Sequence, residues 1–458
     1  MRNLSATLTA AQKTLSYTPI WKVVFTRSGQ ATKTYTGTRV LGITHTETPS
    51  SSKAEIILHN ADGALTALDF EHYQAVISYG MTTSGGDEYS ATAPLRVRVQ
   101  EFHSGMGILR CILRSISILD QLAEDKSLKD YTQEADDTNT IKTLIDAVAA
   151  GGSGLNGAYA GYDAVTITYD AGYDDGIINS FIPADYFAIS TNESRLDKID
   201  ELLGYTSCKR RVEADGAIHI FDPTTTGTTY DYEYKFNVAG DHTFWNKTIR
   251  LRFVNPNKEI VESGEGHEPF YRSSATSATS YALAPKVHTT KRRLASDIEA
   301  GAIAGAKIET YELDDERGFA TVPMNVGQEL WDYVKVTDSR QGDTRVGNIQ
   351  YLQRNVKIPL GSEGMTFNMT LSFGKVAPES MLANMLTTGD GRLSNAQILD
   401  MITALDTNIE NNRNALNELI TIWNSFKLGE VTIPTTFVAR RLKVTHRLQI
   451  PVGKDMFD

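Results

Sequence analysis

Cysteine is nearly absent from this chain: 458 residues contain two, Cys111 and Cys208. Two thiols exclude a disulfide framework and a multi-thiolate metal site. Both lie in apolar or strand-like surroundings and are expected to be buried and inert. Long apolar runs are also missing. No stretch approaches the ~20 residues of a membrane span. The N-terminus has no apolar core of signal-peptide length, so neither secretion nor stable membrane insertion is expected. Positive charge is in deficit, with 45 Lys and Arg against 56 Asp and Glu, a net charge of −11. Such a chain is a poor candidate for wrapping nucleic acid, which takes clustered cations to displace counterions.

Catalytic signatures are missing as well. There is no G-x-x-x-x-G-K-[ST], no strand-linked G-x-G-x-x-G, no H-E-x-x-H and no G-x-S-x-G. The nine histidines are scattered. None pairs at helical ligand spacing, and each reads as a surface or strand residue. Asp170, Asp174 and Asp175 superficially suggest a calcium loop but lack the alternating ligands and closing Glu of an EF-hand. Asp314, Asp315 and Glu316 read as a solvated turn. A carboxylate pair for glycoside hydrolysis would be set in three dimensions, and no pair stands out. The expectation is no catalytic residue, no cofactor and no metal.

What is present is an ordinary globular composition, 41% apolar and 22% charged, with a mean hydropathy of −0.28. Leu4, Leu8, Ala11 and Leu15 predict a short amphipathic helix over residues 3–16, capped by Asn3 or Ser5. From residue 20 to about 119 the period changes to two. Six or seven short strands separated by turn signals, such as residues 60–63, indicate a small barrel or sandwich. Residues 120–205 mix types. Ile141, Leu144, Ile145 and Val148 predict a helix capped by Thr138. Leu196, Ile199, Leu202 and Leu203 predict a second, closed by Gly204. Residues 205–223 read as a hairpin turning at Asp215 and Gly216. Residues 272–280, rich in Ser, Thr and Ala, read as an exposed loop, and residues 291–304 as an Ala-rich helix. Phe367, Met369, Leu371 and Phe373 alternate, so one face of that strand is expected to be buried.

Basic residues cluster at Lys209, Arg210 and Arg211, at Lys291, Arg292 and Arg293, and more weakly at Arg440 and Arg441. Solvated faces explain them. The sharper alternative is the lining of a channel for an anionic polymer.

The strongest pattern lies at 394–427. Ile398, Ile402, Leu405, Ile409, Asn412, Leu416, Leu419, Trp423 and Phe426 follow alternating steps of four and three, a strict heptad. So narrow a stripe predicts an intermolecular coiled coil rather than a helix packed on its own domain. Asn412 in the seam fixes register at some cost in stability. The heptads leave two and three strands open. After Gly429, residues 430–451 look extended.

These parts, in this order, resemble the hub proteins of phage tails and contractile injection systems. The match is carried by residues 55–63 (EIILHNADG), similar to a barrel strand and turn of tail proteins. It is carried also by Leu202, Leu203, Gly204 and Tyr205 leading into residues 210–223 (RRVEADGAIHIFDP), similar to the hub segment in which a helix precedes a hairpin. The likeness covers roughly residues 18–375.

The resemblance implies an α+β, mainly β fold with two barrel domains per chain. The layout is an N-terminal helix (1–17), a first β-barrel domain (18–120) and an α+β insertion with the helix-hairpin (121–245). A second barrel with connecting segments (246–375), a coiled-coil stalk (376–428) and a β tip (429–458) follow. It further implies a structural, non-enzymatic virion protein: a homotrimer at the distal end of the tail, matching threefold to sixfold symmetry. Its partners would be the tail tube or a distal tail protein, tip or fibre proteins and the tape measure, with DNA passing transiently through the channel. Assembly would take place in the host cytoplasm. A receptor-binding or adhesin-like tip protein is the alternative reading, and a cell-wall hydrolase a weaker one.

Overall fold

A computed structural model describes residues 1–14, 16–105, 108–249, 254–316, 318–340, 342–358 and 365–374. The chain divides into two units, Met1–Val376 and Ala377–Asp458. The second lies outside the described residues, and with it the predicted heptad positions and β tip.

Capping chemistry sets the helix starts. Ser5 accepts the Leu8 amide at 3.0 Å and opens α1 (Ala6–Ala11), shorter at both ends than the predicted 3–16. Ser117 and Asp120 form a reciprocal capping box on α2 (Ile118–Glu124). Thr140, not Thr138, caps α3 (Ile141–Ala150), whose predicted stripe Ile141, Leu144, Ile145 and Val148 is buried. Gly151 follows at φ 61°, where a Cβ would meet the Tyr162 carbonyl oxygen at 2.8 Å, so only glycine fits. Ser194 caps α4 (Arg195–Leu203), and Gly204 closes it in right-handed conformation rather than the left-handed one that favours glycine.

The architecture is α+β and mainly β. A 14-stranded sheet runs through both β-rich segments of the sequence. In spatial order its path is Asn246–Ile249, Gly318–Pro323, Thr366–Phe373, Asp343–Lys357, Val40–Thr48, Ser51–His59, Ile108–Ile116, Leu95–Gly105, Gln74–Thr83, Pro19–Thr26 and Lys33–Thr36. Neighbours on this path are antiparallel. The decisive pairing joins Asp343–Lys357 to Val40–Thr48, with Arg354 opposite His45 and Val356 opposite Ile43. It makes one hydrogen-bonded sheet of segments some three hundred residues apart. Phe367, Met369, Leu371 and Phe373 are buried, as their alternation requires. They belong to a core that also takes in Trp21, Val23, Ile43 and Ile56.

A second core lies under α2, α3 and α4 and includes Phe181, Ile218 and Ile220. The predicted hairpin is present, Lys209–Val212 against Ile218–Phe221, with Gly216 at φ 85° in its turn. Ile167–Tyr169 adds a parallel third strand.

Residues 272–280 are not a loop. Arg272–Thr276 is a strand on Lys258–Ser263, and α5 (Ala278–Leu283) follows it. The small side chains that suggested a loop instead let α6 (Asp297–Asp315) approach closely: a Cβ on Gly301 would stand 3.1 Å from the Ser273 hydroxyl. α6 begins after the strand Val287–Arg292 and runs through Asp314 and Asp315, so that acidic run ends a helix.

Candidate functional site

Charged side chains converge where the N-terminal segment, the insertion hairpin and the second β segment meet. The strand Lys209–Val212 directs Arg210 and Arg211 to this junction from one side, and residues 325–332 supply carboxylates from the other. Asp332 is 1% exposed. Its Oδ1 lies 2.5 Å from the Met1 ammonium and 3.5 Å from Arg211 Nη1. Its Oδ2 accepts Gln328 Nε2 at 2.6 Å and the Glu329 amide at 2.7 Å. Glu329 lies within 3.7 Å of Arg2 and of Arg211. Burial, with Glu329 adding to it, pushes the Asp332 carboxyl up to about 6 against the pull of the Met1 ammonium and Arg211.

Arg354 is fully buried beside this cluster, paired with Glu47 and with the Gln328 carbonyl. Burial alone would raise the Glu47 carboxyl, but Arg354, His45 and Arg2 outweigh it and hold it low. Each of these charges finds an opposite charge, which offsets its desolvation cost in part, while Arg354 Nε is buried without a hydrogen-bond partner. His45, also fully buried, is held neutral, its pKa lowered by burial to about 4.

Arg210 fastens the hairpin across the molecule. Its guanidinium makes two 2.7 Å bonds to Asp200 and one to the Pro49 carbonyl. The Arg210 carbonyl in turn accepts the Trp331 indole N–H at 3.1 Å. Trp331 sits at φ 67°, a strained left-handed conformation for an aromatic residue, fixed by its amide bond to the Ile349 carbonyl and by Asn348 bonding its own carbonyl. What this arrangement does chemically is hold: it joins three sequence-distant segments through buried, paired charges.

A separate open groove of about 1220 Å³ lies between α1, the 237–245 segment and Phe367. Its rim carries exposed Val238, Trp245 and Met365. Lys13 also lines it, with its ammonium 5.5 Å above the Tyr232 ring.

No family model matches the chain, and no curated protein matches it. Solved structures do. A tail protein from Neisseria meningitidis MC58 superposes with a TM-score of 0.53 at 10% identity, covering 78% of this chain and 96% of that one. This chain has the fold of that tail protein. The 43 kDa tail protein of prophage MuSo2 from Shewanella oneidensis matches at a TM-score of 0.48 and 11% identity, over 77% of this chain and 98% of its own. Prophage tail protein gp18 from Listeria monocytogenes EGD-e matches at 0.44 and 13%, over 81% and 100%.

Within this tail-protein fold the sequence-predicted residues fare differently. Lys209, Arg210 and Arg211 are not a solvated face. Lys209 bonds Thr310 at 2.9 Å and lies over the Trp331 ring, and burial lowers its pKa. Lys291, Arg292 and Arg293 are more open: Lys291 pairs with Glu265, Arg293 with Asp185, and Arg292 lies over the Tyr205 ring. Arg440, Arg441 and the heptad residues are outside the described residues. His45 is a strand residue, buried on Val40–Thr48, whereas His242 is buried outside the named strands. Asp174 and Asp175 spend their carboxylates on the amides of residues 176–178. Cys111 and Cys208 are buried, and burial pushes their thiols up to about 11 and about 12. Asp332 and Arg354, the centre of the junction, had no sequence signal. Isolated charges in strand-rich sequence look the same whether solvated or paired. Among the described residues no helix is long and apolar enough to cross a membrane.

Proposed function

We propose that this chain is a structural, non-enzymatic protein of a phage-type tail, a homotrimeric hub at the distal end that joins the tail tube to tip or fibre components. The carrying observation is the shared fold with the Neisseria tail protein, spanning 96% of that chain. The single sheet and the buried junction support a load-bearing role, because they tie the β segments and the hairpin into one body. The heptad positions Ile398, Ile402, Leu405, Ile409, Asn412, Leu416, Leu419, Trp423 and Phe426 form the trimer seam in this reading. Three chains then match the sixfold tube, and the tape measure and DNA pass along their axis.

Light scattering on the intact chain tests it. A mass three times the 50.4 kDa of one chain is expected. A strict monomer at micromolar concentration, with no ring in micrographs, overturns it. Ile402→Asp with Ile409→Asp dissociates the trimer, since a charge in the seam has no partner there. Deleting residues 430–458 separates the hub from a receptor-binding or adhesin-like tip protein: failed tail assembly favours the hub, and tails that assemble normally but no longer adsorb favour the binding reading.

A further inference from the structure

The insertion sheet carries a group of side chains that the tail reading does not use. Asp170, Glu213 and His219 come from three different positions on it. His219 lies on Ile218–Phe221, opposite Arg211 on one neighbouring strand and Thr168 on the other. Its imidazole therefore faces away from the buried Ile218 and Ile220. Asp170 directly follows Ile167–Tyr169, and its amide bonds the Ile220 carbonyl at 3.0 Å, which sets it beside His219. Glu213 opens the hairpin turn, its amide donating to the Ala217 carbonyl at 3.2 Å.

We propose that Asp170, Glu213 and His219 bind one divalent transition-metal cation of the zinc class through Asp170 Oδ1, Glu213 Oε2 and His219 Nδ1. These three atoms lie within 4.8 Å of one another. Nδ1 stands 2.6 Å from Asp170 Oδ1 and 3.8 Å from Glu213 Oε2. Ligand atoms at about 2.0–2.2 Å around a tetrahedral ion are about 3.3–3.5 Å apart, so side-chain adjustments of at most about 1.5 Å complete the geometry. The outer contacts favour the same state. Nδ1 donates to Asp170 Oδ1 at 2.6 Å and Nε2 to Asp215 Oδ2 at 3.1 Å, so an entering cation displaces the Nδ1 proton while Asp215 keeps the Nε2 proton and fixes the ring. Glu213 Oε1 is held by Arg211 at 2.7 Å, which turns Oε2 inward. One imidazole with two carboxylates suits zinc, cobalt or nickel better than calcium or magnesium. The side chains are 12% to 30% exposed, so an ion and a fourth, water ligand can enter. The site does not depend on the tail reading and stands or falls separately from it.

The test uses the intact, tag-free chain after chelation and dialysis. Titration with Co²⁺, read by visible absorption, and with Zn²⁺, read by calorimetry, is expected to show one tight ion per chain. Saturating Zn²⁺ should raise the melting temperature. His219→Gln and Asp170→Asn should abolish that ion and that shift. Asp215→Asn, which removes no ligand atom but alters the partner of His219 Nε2, should weaken affinity by about 10–100-fold while leaving one site. No binding below millimolar metal overturns the proposal. So does a tight ion retained in His219→Gln, because eight other histidines could hold it. Melting of the metal-free variants shows whether they fold; if neither ligand variant does, unchanged affinity in Asp215→Asn overturns the assignment of Nδ1.

Discussion

Two Lys-Arg-Arg triplets, at 209–211 and 291–293, are chemically identical and both sit at β-strands, yet they live in different surroundings. Arg210 is 5% exposed and Lys291 48%. The first triplet meets Asp200, Glu213, Glu329, Asp332 and two backbone carbonyls. The second meets Glu265 and Asp185 near the surface. A run of charge therefore carries no environment of its own. Its energetic weight is set by what the rest of the fold brings to it.

The comparison breaks most visibly at Arg211. Arg211→Met leaves Asp332 and Glu329 buried with less countercharge, and stability should fall by about 3–5 kcal/mol. The urea midpoint measures this. An effect below about 1 kcal/mol would mean that the first triplet is as dispensable as the second.

Acid tests the junction next. Burial holds His45 at about 4 and His242 at about 3, below the ordinary 6.5. His45 faces Glu47, Arg354 and Arg2, and His242 faces Tyr232 and Lys13. The unfolded chain binds these protons before the folded chain does, so stability is full above about pH 6.5 and is lost as pH falls toward 4. Asp332 acts in the opposite sense. Its carboxyl is raised to about 6 from 3.8, so its contribution is full below about pH 3.8 and is lost as pH rises through 6. Melting temperature should drop between pH 6.5 and 4, because two histidines outweigh one carboxyl. His242→Gln should flatten that drop by about one proton, and Asp332→Asn should steepen it.

A local cap gives a smaller effect. Thr140→Ala removes the acceptor for the Thr143 amide and should cost about 1 kcal/mol, read by urea unfolding. Smallest is the second triplet. Arg293→Ala at its exposed, 3.4 Å pair with Asp185 should cost under about 1 kcal/mol and vanish in high salt.

The sequence by itself determined the local pieces. The cap at Ser5, the stripes of α3 and α4, the hairpin at Gly216, the alternation of residues 366–373 and the buried thiols were all legible. The mainly β class and the hub resemblance were legible too. Each depends on residues a few positions apart, where backbone geometry alone sets who faces whom. Only the tertiary structure decided the rest. It paired Asp343–Lys357 with Val40–Thr48, set Arg354 on Glu47 across 307 residues, made a strand of residues 272–276 and drew Asp170 to His219 across 49. Strand pairing and charge pairing are long-range choices. A side chain's solvation depends on neighbours that no local pattern names.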